Sequence, residues 1–166
     1  MESLQSERGR EINHAGVRRY WNENADLWTE LSRAGYDTFR DTLNTPAFFE
    51  MLPEIDGLSG LDVGCGEGHN TRLLAERGAR VTAIDVSDVF LEHARDSEER
   101  EPLHIEYLGA SALRLPFSSA AFDFVTGIMS FMDIPETDRA LAEIYRVLKP
   151  AGFLQFSIIH PCFKTS

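Results

Sequence analysis

A glycine-rich stretch stands between an apolar segment and a helical pattern, with glycines at positions 64, 66 and 68. Glycine adopts left-handed backbone angles easily and carries no Cβ, so a ligand can lie directly against such a loop. Because it connects a predicted strand to a predicted helix, the pattern indicates a ligand-binding loop. It differs from the dinucleotide fingerprint, since His69 occupies the place of the third glycine. That difference counts against a nicotinamide or flavin enzyme.

Two carboxylates flank this loop. Asp62 lies two residues before Gly64, and Asp85 ends the next predicted strand, 21 residues after Gly64. The Asp62 carboxylate would repel a pyrophosphate and attract an ammonium group, whereas Asp85 can accept two hydrogen bonds from a ribose diol. A ribose and an ammonium group without a pyrophosphate describe S-adenosylmethionine better than NAD. The alternative for Asp85 is an ordinary residue leading into the following helix.

The elements that must position these residues alternate along the chain. Apolar residues at three- and four-residue steps predict helices, and short apolar runs bounded by turn residues predict strands. The predicted helices cover residues 12–33, 37–43, 46–52, 70–77, 88–97 and 136–148, and the predicted strands cover 60–63, 80–85, 103–107, 122–129 and 153–159. Strands separated by helices form a parallel sheet. We therefore expect an α/β fold, a Rossmann-like parallel sheet of about five strands with helices on both faces.

Four motifs resemble those of the class I S-adenosylmethionine-dependent methyltransferases, and the small-molecule branch is the nearest. They are the stretches 61–68 (LDVGCGEG), 83–87 (AIDVS), 115–117 with 121–123 (LPF and AFD), and 143–152 (EIYRVLKPAG). The resemblance covers about residues 12–160. It is specific for the superfamily because the motifs occur in the same order, and it does not identify the acceptor. It implies methyl transfer from S-adenosylmethionine to a small molecule.

The resemblance also implies a role for each matching residue in holding the cofactor. The methionine tail would lie on Asp62, Gly64, Cys65, Gly66 and Gly68, the ribose on Asp85, the adenine on Val86, Ser111 and Ala112, and the sulfonium near Ile128, Met129 and Ser130. Ser111 stands where family members usually carry an aspartate that contacts the adenine amino group. Ala151 replaces the first glycine of the last motif.

The N-terminal segment resembles the lid that covers the cofactor in these enzymes. On this resemblance, the single domain consists of a helical lid (1–52) and a cofactor-binding core (53–166). Tyr20 and Trp28 lie eight positions apart on one face of the first helix. An aromatic ring over the sulfonium would contribute roughly 0.5–2 kcal/mol. Ordinary packing of an amphipathic helix is an equally good interpretation of both residues.

No residue pattern identifies a catalytic base. His160 follows the fifth predicted strand at the edge of the sheet where ligands bind, and the usual titration range of histidine suits proton transfer. It is a weak candidate because Pro161 also favours a simple turn there. Ser130 and Asp133 are weaker candidates still. Transfer from a sulfonium relies mainly on proximity, so a dedicated base is dispensable.

The resemblance implies two further strands after the fifth, yet only seven residues follow Ile159. We therefore expect the family's C-terminal hairpin to be absent, by truncation or in a shortened variant. A bare edge strand exposes unpaired backbone groups, which predicts homodimer formation through that edge. The main alternative function is a module that binds S-adenosylmethionine without catalysis. A nicotinamide-dependent oxidoreductase is a less favoured alternative.

The composition limits the partners and the location. The chain has 166 residues and a net charge of −11, which disfavours binding to nucleic acid and to anionic membranes. No segment approaches the ~18 apolar residues of a membrane span, and we expect no secretory signal. Cys65 and Cys162 are 97 residues apart, which fits neither a metal site nor a disulfide framework. We expect a cytoplasmic protein without a metal.

Overall fold

In the computed structural model, which describes residues 14–160, the chain enters through a long amphipathic helix, α1 (His14–Arg33). Ala25, Thr29 and Ser32 are buried along one face of α1. A π-helical turn (Arg40–Asn44) and a short helix, α2 (Thr45–Glu50), follow it. We call residues 14–50 the N-terminal segment. The predicted polar start at 1–11 lies outside the described residues.

The sheet is built from five strands. They are β1 (Ser59–Val63), β2 (Arg80–Asp85), β3 (Glu106–Gly109), β4 (Phe122–Ile128) and β5 (Leu148–Ser157). All neighbours are parallel, and the order is β3-β2-β1-β4-β5. The order reverses between β1 and β4, and ligands bind beyond the carboxyl ends of the strands at such a switch point. The predicted Rossmann-like parallel sheet is confirmed.

Helices cover both faces of this sheet. They are α3 (His69–Glu76), α4 (Asp88–Arg100) and α5 (Thr137–Val147). On one face Leu61 and Val125 pack in a cluster with Ile144 of α5, and on the other Phe124 packs with Leu74 of α3. Central strands that are buried on both sides explain the nearly continuous apolar runs in the sequence.

The N-terminal segment packs against helix α4, which begins just after the end of β2. The Ser87 Oγ accepts a hydrogen bond from the Phe90 amide at 3.2 Å, so Ser87 caps α4 as predicted. The rings of Trp21 and Trp28 on α1 have centroids 5.7 and 5.5 Å from that of Phe90. These aromatic contacts place α1 over the carboxyl edge of the sheet.

The third strand begins later than predicted, at Glu106 instead of residue 103. The Glu98 Oε1 accepts hydrogen bonds from the amides of Leu103 and Ile105, at 2.7 and 3.2 Å. His104 between them has a left-handed φ of 63°. The segment is therefore held by a carboxylate of α4, and its amides are not available to β2.

The fifth strand begins earlier than predicted, at Leu148 instead of residue 153. Phe122 pairs with Leu148 and Phe124 pairs with Phe153, so the intervening residues of β5 bulge outward. Ala151 lies in this bulge with a left-handed φ of 66°. Within residues 14–160, β5 pairs with β4 alone and forms an edge of the sheet. Homodimer formation through this edge stays a prediction.

Candidate functional site

A cavity of about 1020 Å³ lies where the carboxyl ends of β1, β2 and β4 meet the N-terminal segment. Nearly all of the residues predicted to bind a cofactor line its wall: Tyr20, Trp28, Asp62, Gly64, Cys65, Gly66, Asp85, Val86, Ser111, Ala112, Ile128, Met129 and Ser130. His160 lines the same wall. The fold thus brings together residues that are far apart in the sequence.

Gly68 is the exception, because it lies outside this wall. A Cβ at Gly68 would stand 2.7 Å from the Tyr107 hydroxyl oxygen and 3.2 Å from the Ala94 Cβ. Its φ is 89°, and it directly precedes the first residue of α3. In the described structure Gly68 therefore allows α3 to start close to α4 and β3, and it does not face the cavity.

The other two glycines shape the loop in different ways. Gly64 has a φ of 73°, and a Cβ there would stand 2.4 Å from the Ser130 Cβ. Ser130 packs this closely because its Oγ donates a hydrogen bond to the Val63 carbonyl at 2.7 Å. Gly66 has a φ of 55° and faces open space. The loop is thus pressed against the end of β4 at Gly64 and leaves room for a ligand at Gly66.

Asp85 is buried at the end of β2 and holds the loop. Its Oδ2 accepts a hydrogen bond from the Gly66 amide at 2.9 Å, and its Oδ1 accepts one from the Ser87 amide at 2.8 Å. Burial raises the pKa of the Asp85 carboxyl, although both amides favour the charged form. Each carboxylate oxygen has more than one lone pair, so Asp85 can still accept hydrogen bonds from the cavity side.

Asp62 is 2% exposed and sits between three elements of the core. Its two oxygens accept hydrogen bonds from the Thr71 hydroxyl at 2.6 Å and the Thr126 hydroxyl at 2.9 Å. Burial raises the pKa of Asp62 to about 6, and the two hydroxyls act in the opposite direction. Neither threonine is signalled by the motifs in the sequence. They are neutral donors, so the negative charge of Asp62 is not cancelled.

Two buried carboxylates, Asp62 and Asp85, place negative charge beside the loop. The pKa of the Cys65 thiol is raised well above its usual range, first by burial and then by the charges of Asp85, Asp62 and Glu67. A field that disfavours a thiolate also disfavours a diphosphate and favours a cationic ligand.

Aromatic side chains form the wall contributed by α1. The Trp28 and Phe90 rings meet edge to face, as do those of Tyr20 and Trp21, at 5.5 Å in each pair. Tyr20 is 59% exposed. Trp21 also lines the cavity and was not among the predicted site residues. The sequence around Trp21, between Arg18 and Tyr20 on one side and the rest of α1 on the other, does not distinguish a cavity residue from a residue that only packs.

Exposed apolar side chains contribute to the cavity wall on both sides of the sequence motifs, in the N-terminal segment and after β4. A 3₁₀ turn (Phe131–Asp133) follows β4, and Met129 ahead of it has a strained φ of 56°. Apolar side chains of the wall that are substantially exposed are Tyr20, Phe39, Leu43, Met132, Ile158 and Ile159. Asp133 lies in the same wall, and partial burial raises the pKa of its carboxyl.

The sequence from β1 to β5 matches one family. A model of the methyltransferase domain matches residues 61–156, which is more than half of the chain. The chain belongs to the methyltransferase domain family. Its resemblance to the class I S-adenosylmethionine-dependent methyltransferases is thereby confirmed.

Relatives of this methyltransferase domain are found among curated proteins and solved structures. The chain is 30% identical over 126 residues to a malonyl-[acyl-carrier protein] O-methyltransferase of Pectobacterium atrosepticum, covering 75% of this chain and 48% of that protein. It resembles a solved S-adenosylmethionine-dependent methyltransferase of Mesorhizobium loti, with a TM-score of 0.68, 30% identity, and coverage of 74% and 57% of the two chains. It also resembles the [4+2]-cyclase SpnF, with a TM-score of 0.64, 35% identity, and coverage of 68% and 42%.

The methyltransferase domain described here spans about half the length of the curated relatives it matches. No helix within residues 14–160 has the length and apolar character needed to cross a membrane. In the same part of the chain, no three histidine, cysteine or acidic side chains are grouped as metal ligands.

Membership in this family implies binding of S-adenosylmethionine, and the residues fit that cofactor. Open space stands over Gly66, and a Cβ at that position would project into it. Asp62, whose charge is not cancelled, and Asp85 both line the cavity to which Gly66 belongs. Such a site suits a ligand with an ammonium group and a ribose.

Proposed function

We propose that this methyltransferase domain binds S-adenosylmethionine and transfers its methyl group to a small, mostly apolar acceptor. The observation that carries the proposal is the placement of Asp62 and Asp85 on one cavity with the Gly64–Gly66 turn between them. The membership of the methyltransferase family supports the same reaction.

Each part of the wall has a role in this proposal. Asp85 accepts hydrogen bonds from the ribose hydroxyls, and Asp62 with the loop from Gly64 to Gly66 holds the methionine tail. Val86, Ser111 and Ala112 border the adenine, while Ile128, Met129 and Ser130 border the sulfonium, and Tyr20 and Trp28 cover it. The Ser111 Oγ already accepts a hydrogen bond from the Leu113 amide at 3.1 Å, so it contributes less to the adenine than an aspartate would.

The bound cofactor supplies a methyl group on a positively charged sulfur, which leaves as a neutral thioether when the acceptor's electron pair forms the new bond. The chain contributes by holding the acceptor in line and by excluding water under the N-terminal segment. Removal of the acceptor's proton is the only acid–base task. His160 is a weak candidate for it, and Asp133 lies in the same wall.

The chemistry of the acceptor is inferred from the exposed apolar side chains of the cavity wall. Phe39, Leu43 and Met132 are exposed apolar side chains that all line the cavity. Burial of such surface by a ligand is favourable at about 25 cal/mol per Å². An acceptor with a ring or chain of carbon atoms and one nucleophilic oxygen, nitrogen or carbon fits this wall better than a small charged amine.

Calorimetric titration with S-adenosylhomocysteine and, separately, with NAD tests the cofactor assignment. We expect binding of the sulfur nucleoside and no heat from NAD, and the reverse result would overturn the assignment. Transfer of a labelled methyl group is then measured with phenols, enols and carboxylic acids of increasing carbon content, and with glycine-like amines. Turnover that is confined to the charged amines would contradict the proposed acceptor.

A second candidate function rests on the resemblance to SpnF, because that neighbour is described as a [4+2]-cyclase. We propose as the alternative a domain that binds S-adenosylmethionine without transferring its methyl group. Tight nucleoside binding combined with no transfer to any acceptor of the panel would favour this alternative. A cytoplasmic location and homodimer formation stay predictions.

A further inference from the structure

Glu67 occupies an unusual place for a carboxylate. It stands between Gly66 and Gly68 in the loop, yet its side chain is only 6% exposed. The Arg33 guanidinium donates to the Glu67 Oε2 through Nε at 3.1 Å and lies 3.0 Å away through Nη2. The Arg40 Nη1 lies 3.6 Å from the Glu67 Oε1. Two arginines of the N-terminal segment thus converge on one residue of the loop.

Both arginines are also anchored elsewhere. Arg33 ends α1 and donates to the His93 carbonyl at 3.2 Å and to the Ser97 Oγ at 3.0 Å, both on α4. The guanidinium of Arg33 therefore joins the end of α1, the loop and α4. Loss of Glu67 would leave these other contacts in place.

Arg40 is the more deeply buried of the two, with a side chain that is 10% exposed. It donates to the Ser32 carbonyl at 3.1 Å and to the Asp41 Oδ1 at 2.7 Å, and it lies 6.0 Å from the ring centroid of Trp28. A buried guanidinium with these partners has few alternative positions. It therefore fixes where the Glu67 carboxylate can go.

The loop needs such an anchor. Gly64 and Gly66 have left-handed backbone angles, and glycine loses more conformational freedom on ordering than any other residue. The Asp85 carboxylate at the end of β2 holds the loop by accepting a hydrogen bond from the Gly66 amide. Glu67 is the side chain that reaches from the loop to the N-terminal segment. Burying this carboxylate is costly without its arginine partners.

We propose that Glu67, Arg33 and Arg40 form a positioning clamp that couples docking of the N-terminal segment to the cofactor-binding shape of the loop. The clamp sets the affinity for S-adenosylmethionine through the shape of the loop. Glu67 and Arg40 line the cavity, whereas Arg33 is not part of its wall. This inference rests on the proposed function for its ligand. The coupling itself is a property of the chain without ligand, which lets the two be tested separately.

The affinity arm is a double-mutant cycle. Glu67→Gln, Arg33→Gln and the double variant are titrated with S-adenosylhomocysteine, and Glu136→Gln breaks an exposed ion pair with Arg139 as the matched control. We expect each single variant to bind about tenfold more weakly, the double variant no more weakly than the singles, and the control like the wild type. Additive losses in the double variant, or unchanged affinity in the singles, would overturn the clamp.

The ligand-free arm measures hydrogen exchange of the amides of residues 64–68 together with the melting temperature. Arg33→Gln should speed exchange of the Gly66 amide about tenfold although Arg33 lies on another element. Unchanged exchange in the loop would show that Arg33 has only a general structural role. Faster exchange combined with no nucleoside binding by the wild type would leave the clamp standing and overturn the proposed function instead.

Discussion

The Asp85 carboxylate accepts a hydrogen bond from the Gly66 amide at 2.9 Å. An acid at the end of β2 therefore holds the loop that follows β1, and its other oxygen is bonded to the Ser87 amide at 2.8 Å. The residue expected to contact the ribose is also the residue that gives the loop its shape. Substitutions of Asp85 should therefore affect ligand binding and stability together.

Asp85→Asn should lower both properties. Both partners of the carboxylate are backbone N–H donors. The NH2 group of the new asparagine would point at one of these N–H groups, which would then lack an acceptor, at a cost of about 1–3 kcal/mol of stability. We expect affinity for S-adenosylhomocysteine to fall by more than tenfold in calorimetry. Asp88→Asn, at an exposed position beside Arg18, is the matched control. Unchanged affinity in Asp85→Asn would remove Asp85 from the ribose site.

The buried Asp62 should make stability depend on pH. Its folded-state pKa of about 6 lies above its ordinary value of 3.8, so the folded chain binds the proton more tightly than the unfolded chain. The free energy of unfolding therefore falls as the pH rises from about 4 to about 6, by about 3 kcal/mol at ~1.4 kcal/mol per unit. Urea denaturation between pH 4 and pH 8 measures this fall.

Asp62→Asn provides the comparison, since the hydroxyls of Thr71 and Thr126 can each donate or accept a hydrogen bond. The variant should lose this pH dependence and match or exceed the wild type in stability above pH 6. Its affinity for the methionine tail should nevertheless fall, because the negative charge is gone. The same slope with pH in both proteins would contradict the assignment to Asp62.

Gly66→Ala should separate backbone strain from ligand exclusion. Gly66 and Gly35 both have left-handed φ angles, 55° and 82°, and both face open space. Alanine at either position should cost about 1–2 kcal/mol of stability. In Gly66→Ala the introduced methyl group also projects into the cavity. Only this variant should therefore bind S-adenosylhomocysteine at least tenfold more weakly. Equal affinities for the two variants would argue against a ligand on the loop.

Ala151→Gly should stabilise the protein. Ala151 has a left-handed φ of 66°, a backbone conformation that glycine adopts without a Cβ clash. Relief of this strain should raise the free energy of unfolding by about 1 kcal/mol, after the greater freedom of glycine in the unfolded chain is subtracted. Ala47→Gly, at an exposed position of α2, should lower it by a similar amount. Thermal denaturation of both variants provides the measurement.

The sequence was sufficient for features that depend on short-range patterns. The glycine loop, Asp85 and the Ser87 cap are each signalled within a few residues, and the alternation of elements predicts the parallel sheet. The clamp at Glu67 was missed because its arginines lie 34 and 27 positions away and act only after α1 has packed on α4. Ion pairs of this kind have no periodic signal in the sequence.

Other differences also have local physical reasons. The late start of β3 follows from the Glu98 carboxylate, which binds the amides of Leu103 and Ile105. A single glutamate in a helical pattern reads as a solvated residue. The π-helical turn that brings Arg40 into the wall likewise has no distinctive composition.

The aromatic contacts of α1 also provide a natural optical probe. The chain has two tryptophans, and both Trp21 and Trp28 stand on α1 in the cavity wall and pack against Phe90. Tryptophan emission from the unlabelled protein therefore comes entirely from this wall. A shift in its wavelength or intensity would report occupancy in real time, which makes stopped-flow measurements possible without any dye.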